Sequence, residues 1–225
     1  MNTYLDGEGG VFMEKSYTKI YTTGATVPLK IRPGHFATNH AHINYYIDVT
    51  TLKARTKEAE EVAQALDGMY LYDTVIDTIV CMEGTEVIGA FLAEELAKGG
   101  FLSTNAHKSI YVISPEFNNN SQIIFRDNLI PMIRDKHVMI LMASVTTGRT
   151  LNKAVESIQY YGGILQGASA IFSAMDSLDG VPIKSVFGKK DLPDYTYSDY
   201  RDCPLCKAGK KIDALVNTFG YSPMG

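Results

Sequence analysis

The sequence predicts an α/β domain with a mainly parallel central sheet flanked by helices, preceded by a small β-rich element. Three observations carry this expectation. From Thr74 onward, short apolar runs alternate with amphipathic segments, the rhythm of βα units. Those apolar runs are continuous, which suits strands buried on both faces. Upstream, residues 20 to 50 are rich in Tyr, Ile, Val and Thr, residues that favour strands.

Residues 1–14 carry Gly and acids with little periodicity and are expected to fray. "HINYYIDVT" reads as strand, with "PGH" as a turn before it. Between Lys53 and Met69 a helix is expected, because Ala54, Ala59, Val62, Ala63 and Leu66 recur at helical spacing and Gly68 supplies a stop. Glu58, Glu60 and Glu61 form its solvated face. The core then reads "VIDTIVCM" as strand, "TEVIGAFLAEELAKGG" as helix, "SIYVIS" and "VMILMA" as strands, "TLNKAVESIQYYGG" as helix and "ILQGASAIFS" as strand. At 225 residues the chain suits one domain with an appendage and is short for two. The division expected is a single domain over 15–225, with a hood at about 20–52 plus part of the C-terminal segment, and a core at about 53–190.

Charge and cysteine use narrow the function. A net charge of -4, a pI near 5.7 and the lack of a basic run give no electrostatic reason to expect nucleic acid or an anionic membrane as partner. "MNTYLDGEGG" is too polar for a signal peptide, and no apolar stretch approaches the roughly 18 residues that span a bilayer, so a cytoplasmic protein acting on small molecules is expected. Three cysteines, Cys81, Cys203 and Cys206, are too few and too uneven for a secreted disulfide framework.

In parallel sheets, ligands bind outside the carboxyl ends of the strands. Two loops fall there, "MEGTE" after the first core strand and "SVTTGRT" after the third. Successive N–H groups in a tight Thr/Gly loop leading into a helix can hold a phosphate, with Thr hydroxyls as further donors and Gly148 allowing close approach. A plain helix N-cap is the other reading of that loop, and the first loop carries the same ambiguity.

Together these motifs resemble the type I phosphoribosyltransferases. "LMASVTTGRT" is similar to their signature for phosphoribosyl pyrophosphate (PRPP), "CMEGTEVIGAFLA" looks like their pyrophosphate loop, and "NHAHINYYID" is similar to the N-terminal hood of the orotate enzymes, with His42, Asn44, Tyr45, Tyr46 and Asp48 matching. "CPLCKAGKKID" looks like a tail seen in some members. The resemblance implies that Ser144, Val145, Thr146, Thr147, Gly148, Arg149 and Thr150 hold the 5′-phosphate of PRPP or a nucleoside monophosphate. It places Glu83, Gly84, Thr85 and Glu86 beside the pyrophosphate, and Tyr45, Tyr46 and Thr38 at the base. It further implies Mg²⁺ as cofactor, a homodimer, and transfer of 5-phosphoribosyl to a nucleobase, orotate by preference.

The sequence also departs from that family. Met142 and Ala143 stand where the family has paired acids, Thr38 where it has a lysine, and "SPEFNNNSQIIFRDN", the region of its mobile catalytic loop, offers only Arg126 as a cation. Catalysis through Glu83, Glu86 and Arg126 is one reading. The other is a non-catalytic paralogue that binds a phosphoribosyl or nucleotide ligand for regulation. Cys203 and Cys206 form a C-x-x-C, half of a zinc site without a second pair. Either a reduced pair or metal shared across a dimer is open. His40 and His42 are expected to serve the hood, and His35, His107 and His137 to be surface or cap residues.

Overall fold

The structure, a computed structural model, describes residues 17–70, 74–98, 104–106, 109–120 and 122–224. The segment 1–14, His107 and Lys108 lie outside the described residues. The first part of the chain forms β1 (Thr18–Ile20), β2 (Leu29–Ala37), β3 (His42–Asp48), α1 (Thr50–Ala54) and α2 (Thr56–Asp67). There follow β4 (Thr78–Cys81), α3 (Glu86–Lys98), β5 (Tyr111–Ile113), β6 (Glu116–Phe117), β7 (Ile123–Ile124), β8 (His137–Val145), α4 (Arg149–Tyr160) and β9 (Ile164–Ser173). The chain ends with β10 (Ser177–Leu178), β11 (Val181–Gly188), β12 (Tyr197–Ser198), α5 (Pro204–Lys207), β13 (Ala214–Asn217) and β14 (Gly220–Pro223).

The core sheet runs β10-β11-β9-β8-β4-β5, parallel throughout except for the edge strand β10. Its strands are apolar on both faces because both faces are covered. Along β8 the side chains alternate. Met139 and Leu141 join Val62, Leu66, Ile88 and Leu92 of α2 and α3, while Val138, Ile140 and Met142 join Leu151, Ala154 and Ile158 of α4. The first of these clusters continues into the hood through Leu29, Phe36 and Ile43. No helix among the described residues is long and apolar enough to cross a membrane.

The hood is a second sheet, β12-β3-β2-β13-β14, with β1 paired to β2. β2 and β3 are antiparallel, whereas β13 returns from the tail to lie parallel to β2. "PGH" is a part of β2 and not a turn. Pro33 pairs with Tyr45, and the register shifts between Pro33 and Phe36, a bulge that Gly34 permits because a Cβ there would stand 2.6 Å from the Phe36 ring. The chain turns instead at residues 38–41, where the Thr38 hydroxyl accepts from the N–H groups of His40 and Ala41. The single helix expected from Lys53 is two, since Arg55 adopts an extended backbone between α1 and α2.

Candidate active site

The order of the core strands creates the cleft. From β4 the chain goes first to β5 on one side and later to β8 on the other, so β4 and β8 flank a topological switch point. Helix α3 leaves β4 toward one face and α4 leaves β8 toward the opposite face, which separates the two connecting loops. A cleft of about 240 Å³ opens between them, roofed by the hood and lined by Thr38, His40, Tyr46, Lys53, Glu83 and residues 142–151 among others.

One wall is the loop 144–150. Gly148 is the N-cap of α4 and adopts φ +73°, in the left-handed region, where a Cβ would also meet Leu178 at 2.8 Å. The first N–H groups of α4 therefore face the cleft with the positive end of the helix dipole. Behind the loop, the Thr146 hydroxyl lies 3.0 Å from the Tyr195 hydroxyl, and the Tyr195 ring meets Phe172 edge-on with centroids 5.1 Å apart. Burial raises the Tyr195 phenol to about 12, so it stays protonated and firmly buttresses the loop at neutral pH.

The opposite wall is Glu83. It has φ +60° and is followed by Gly84 at φ +78°, an unusual conformation for a glutamate that turns its carboxylate back across the cleft. The Ser144 N–H donates to Glu83 Oε2 at 3.4 Å, tying the two loops together. Lys53 Nζ donates to the Glu83 carbonyl at 2.7 Å and to the Thr218 carbonyl at 3.1 Å, which joins hood, core and tail. Burial raises the Glu83 carboxyl above the ordinary range, against the Ser144 bond and the Lys53 charge. Burial likewise lowers the Lys53 ammonium, against Glu83, Glu86 and Asp48. His40 is lowered by burial and then by Arg149 and Lys153, a sign that this side of the cleft is electropositive. The arrangement favours an anion on the 144–150 side and presents one carboxylate opposite.

The structure thus brings together Thr38, Tyr46, Glu83 and the whole of Ser144 to Thr150. It separates others from them. Thr85 is buried, and its hydroxyl donates to the carbonyls of Met82 and Leu141 at 2.8 and 3.1 Å, so it fastens loop to sheet. Glu86 accepts instead from the Ser114 hydroxyl at 2.7 Å, and neither it nor Gly84 is part of the cleft lining. Tyr45 packs partly buried against the core and is not among the residues that line the cleft. Arg126 pairs with Glu116 at 2.6 Å on the exposed β6–β7 hairpin. Lys53 and Tyr195 are the site residues that sequence reasoning missed. Lys53 reads as one more charge on a helix, and Tyr195 sits in a polar segment with no periodicity.

A second polar centre lies in the hood. One ligand atom each of His35, His42, Cys203 and Cys206 lies within 4.8 Å of the others. The sequence expectation for His35 is overturned, since it is fully buried and its ring meets His42 with centroids 5.0 Å apart. His137, at the start of β8, donates from its Nδ1 to the Asp77 carboxylate at 2.8 Å.

A parallel sheet with a Gly/Thr loop at its switch point defines an α/β domain whose cleft opens at the carboxyl ends of the strands. The chain is similar to orotate phosphoribosyltransferase of Mycobacterium tuberculosis H37Rv, in its crystal structure with Fe(III) dicitrate, at 15% identity over 73% of this chain and 92% of that one, with a TM-score of 0.50. It is similar to UMP synthase of Leishmania donovani at 18% identity over 72% of this chain, with a TM-score of 0.52, and spans only 34% of that longer protein. No family model and no curated protein matches the sequence. These likenesses establish that the chain has the type I phosphoribosyltransferase fold.

Proposed function

We propose that the cleft binds PRPP and transfers its 5-phosphoribosyl group to a nucleobase, orotate by preference, with Glu83 doing the work of the family's paired acids. The observation that carries this reading is the Glu83 carboxylate, held across the cleft by the Ser144 N–H and, among the described residues, the one carboxylate lining it. Residues 144–150 hold the 5′-phosphate through helix N–H groups and Thr hydroxyls. The nitrogen of the base bonds to the anomeric carbon as the bond from that carbon to pyrophosphate breaks, and Glu83 stabilises the positive charge developing there. Glu83 is the carboxylate that would hold Mg²⁺ together with the substrate phosphates, and the ion would supply charge neutralisation of the pyrophosphate leaving group. One of the structures similar in fold is an orotate phosphoribosyltransferase, which supports orotate as the base. A homodimer in the cytoplasm belongs to the same proposal.

A second reading, a regulatory binder of phosphoribosyl ligands without turnover, is favoured by one observation. Met142 and Ala143 are 2% and 4% exposed at the end of β8, where the resemblance has acids, and supply no oxygen. A single pair of measurements separates the readings. Thermal shift with PRPP and nucleoside monophosphates reports binding, by mass action on the native state. Turnover of PRPP with orotate reports transfer. The enzyme reading expects turnover that Glu83→Gln lowers about 100-fold or more while monophosphate binding persists. Binding with no turnover in the wild type selects the regulatory reading, and the absence of any stabilisation by phosphorylated ligands removes both.

A further inference from the structure

We propose that His35, His42, Cys203 and Cys206 form a structural zinc site that pins the C-terminal tail to the hood. A tetrahedral zinc with bonds of about 2.0–2.1 Å to nitrogen and about 2.3 Å to sulfur requires ligand edges of about 3.3 Å between two nitrogens and about 3.6 Å between nitrogen and sulfur. The side chains stand near those edges. His35 Nε2 is 3.1 Å from His42 Nδ1, Cys203 Sγ is 3.5 Å and Cys206 Sγ 3.6 Å from His35 Nε2, and Cys206 Sγ is 3.2 Å from His42 Nδ1.

The surroundings prepare the ligands as well. His35 Nδ1 lies 2.9 Å from the Lys210 carbonyl, which can only accept, so that nitrogen carries the proton and Nε2 turns its lone pair toward the other three donors. The backbone of His35 is held in turn by Asp213, whose carboxylate accepts the His35 N–H and whose own N–H donates to the His35 carbonyl, both at 2.7 Å. Two nitrogens and two sulfurs form a borderline-soft set that suits zinc and excludes the hard cations Mg²⁺ and Ca²⁺. Four protein ligands also leave no open position, which makes the site structural. On binding, both thiols lose their protons to solvent and the two imidazoles stay neutral, so the two thiolates balance the charge of Zn²⁺.

The position gives the site its consequence. His35 and His42 come from β2 and β3, Cys203 and Cys206 from the start of α5 and its last turn. Asp213 leads directly into β13, and the turn after β13 supplies the Thr218 carbonyl that receives Lys53. Zinc therefore fixes the tail segment that closes one side of the cleft.

The test uses the full chain without any phosphoribosyl ligand, so it is independent of the function proposed above. Protein grown with zinc and dialysed against metal-free buffer should hold one zinc per chain by elemental analysis. Exchange for cobalt(II) should produce the visible absorption of a tetrahedral cobalt thiolate. Cys206 is exposed, so Cys206→Ser disturbs little packing and should weaken zinc binding about tenfold or more. A chelator should speed hydrogen exchange in β13 and β14 ahead of β8 and β9. Wild-type protein with no zinc above background and no cobalt–thiolate band, or with Cys203 and Cys206 joined in a disulfide, overturns the proposal. Both wild-type readouts stand whether or not the variant folds.

Discussion

The cleft loop and the His/Cys cluster of the hood are both polar centres, but they are assembled differently. The loop uses consecutive residues, 144–150, at the end of a strand buried on both faces. The cluster draws on positions 35, 42, 203 and 206, which meet only because the tail folds back onto the hood. The first is held from behind by apolar packing, through Tyr195 on Phe172. The second is held by polar contacts on the hood sheet, His35 to the Lys210 carbonyl and to Asp213. The contrast teaches that a local motif inherits rigidity from the core, whereas a site built from distant segments needs its own fastening.

The strongest way to break this comparison is to remove the packing beneath the loop. Phe172→Ala should cost about 3–5 kcal/mol in denaturant unfolding, as for other buried phenylalanines. It should also weaken phosphate binding, because Tyr195 loses its support, yet leave the metal content of the tail unchanged. A variant that loses both sites together would show that the two regions are one cooperative unit. A smaller effect comes from the loop itself. Thr147→Val should weaken monophosphate binding by about 1.5–3 kcal/mol in a calorimetric titration, the worth of a charge-assisted hydrogen bond, with stability little changed. Unaltered affinity would return residues 144–150 to a plain helix cap.

Thr85 sharpens the distinction between holding a loop and holding a ligand. Thr85→Val should lower stability by about 1 kcal/mol, since its hydroxyl bonds two buried carbonyls, and should leave monophosphate affinity where it was. The smallest expected effect concerns Glu83 and pH. Because burial holds its folded pKa above the ordinary value, the folded state binds the proton more tightly than the unfolded state. Its contribution to stability is complete below the unfolded pKa and is lost as pH rises through the folded one. Glu83→Gln should therefore melt slightly higher than the wild type at neutral pH, and the difference should vanish as the medium is acidified below the ordinary glutamate range. A wild type that melts higher at every pH would mean that the ionised carboxylate is a net stabiliser.

Much of the core was legible in the sequence. "VMILMA" and "ILQGASAIFS" announce buried strands because a strand with both faces covered needs no alternation, and β8 and β9 lie where those runs predict. The hood was legible as strand-rich, but "PGH" was misread, because Pro and Gly mark a bulge as readily as a turn and only the pairing with β3 distinguishes them. Of the site, the sequence by itself determined where the loop 144–150 lies, since a strand, a Gly/Thr turn and a helix in succession place those residues at a strand end from local backbone geometry. It also offered Glu83 and Glu86 as equals. Tertiary structure chose Glu83, because the left-handed backbone at residues 83–84 sends that carboxylate across the switch point while Glu86 begins a helix and turns toward Ser114. The same holds for Lys53, Tyr195 and the partnership of His35 with Cys203. Each depends on segments far apart in the chain being brought within a few ångströms, and no local pattern of residues encodes that distance.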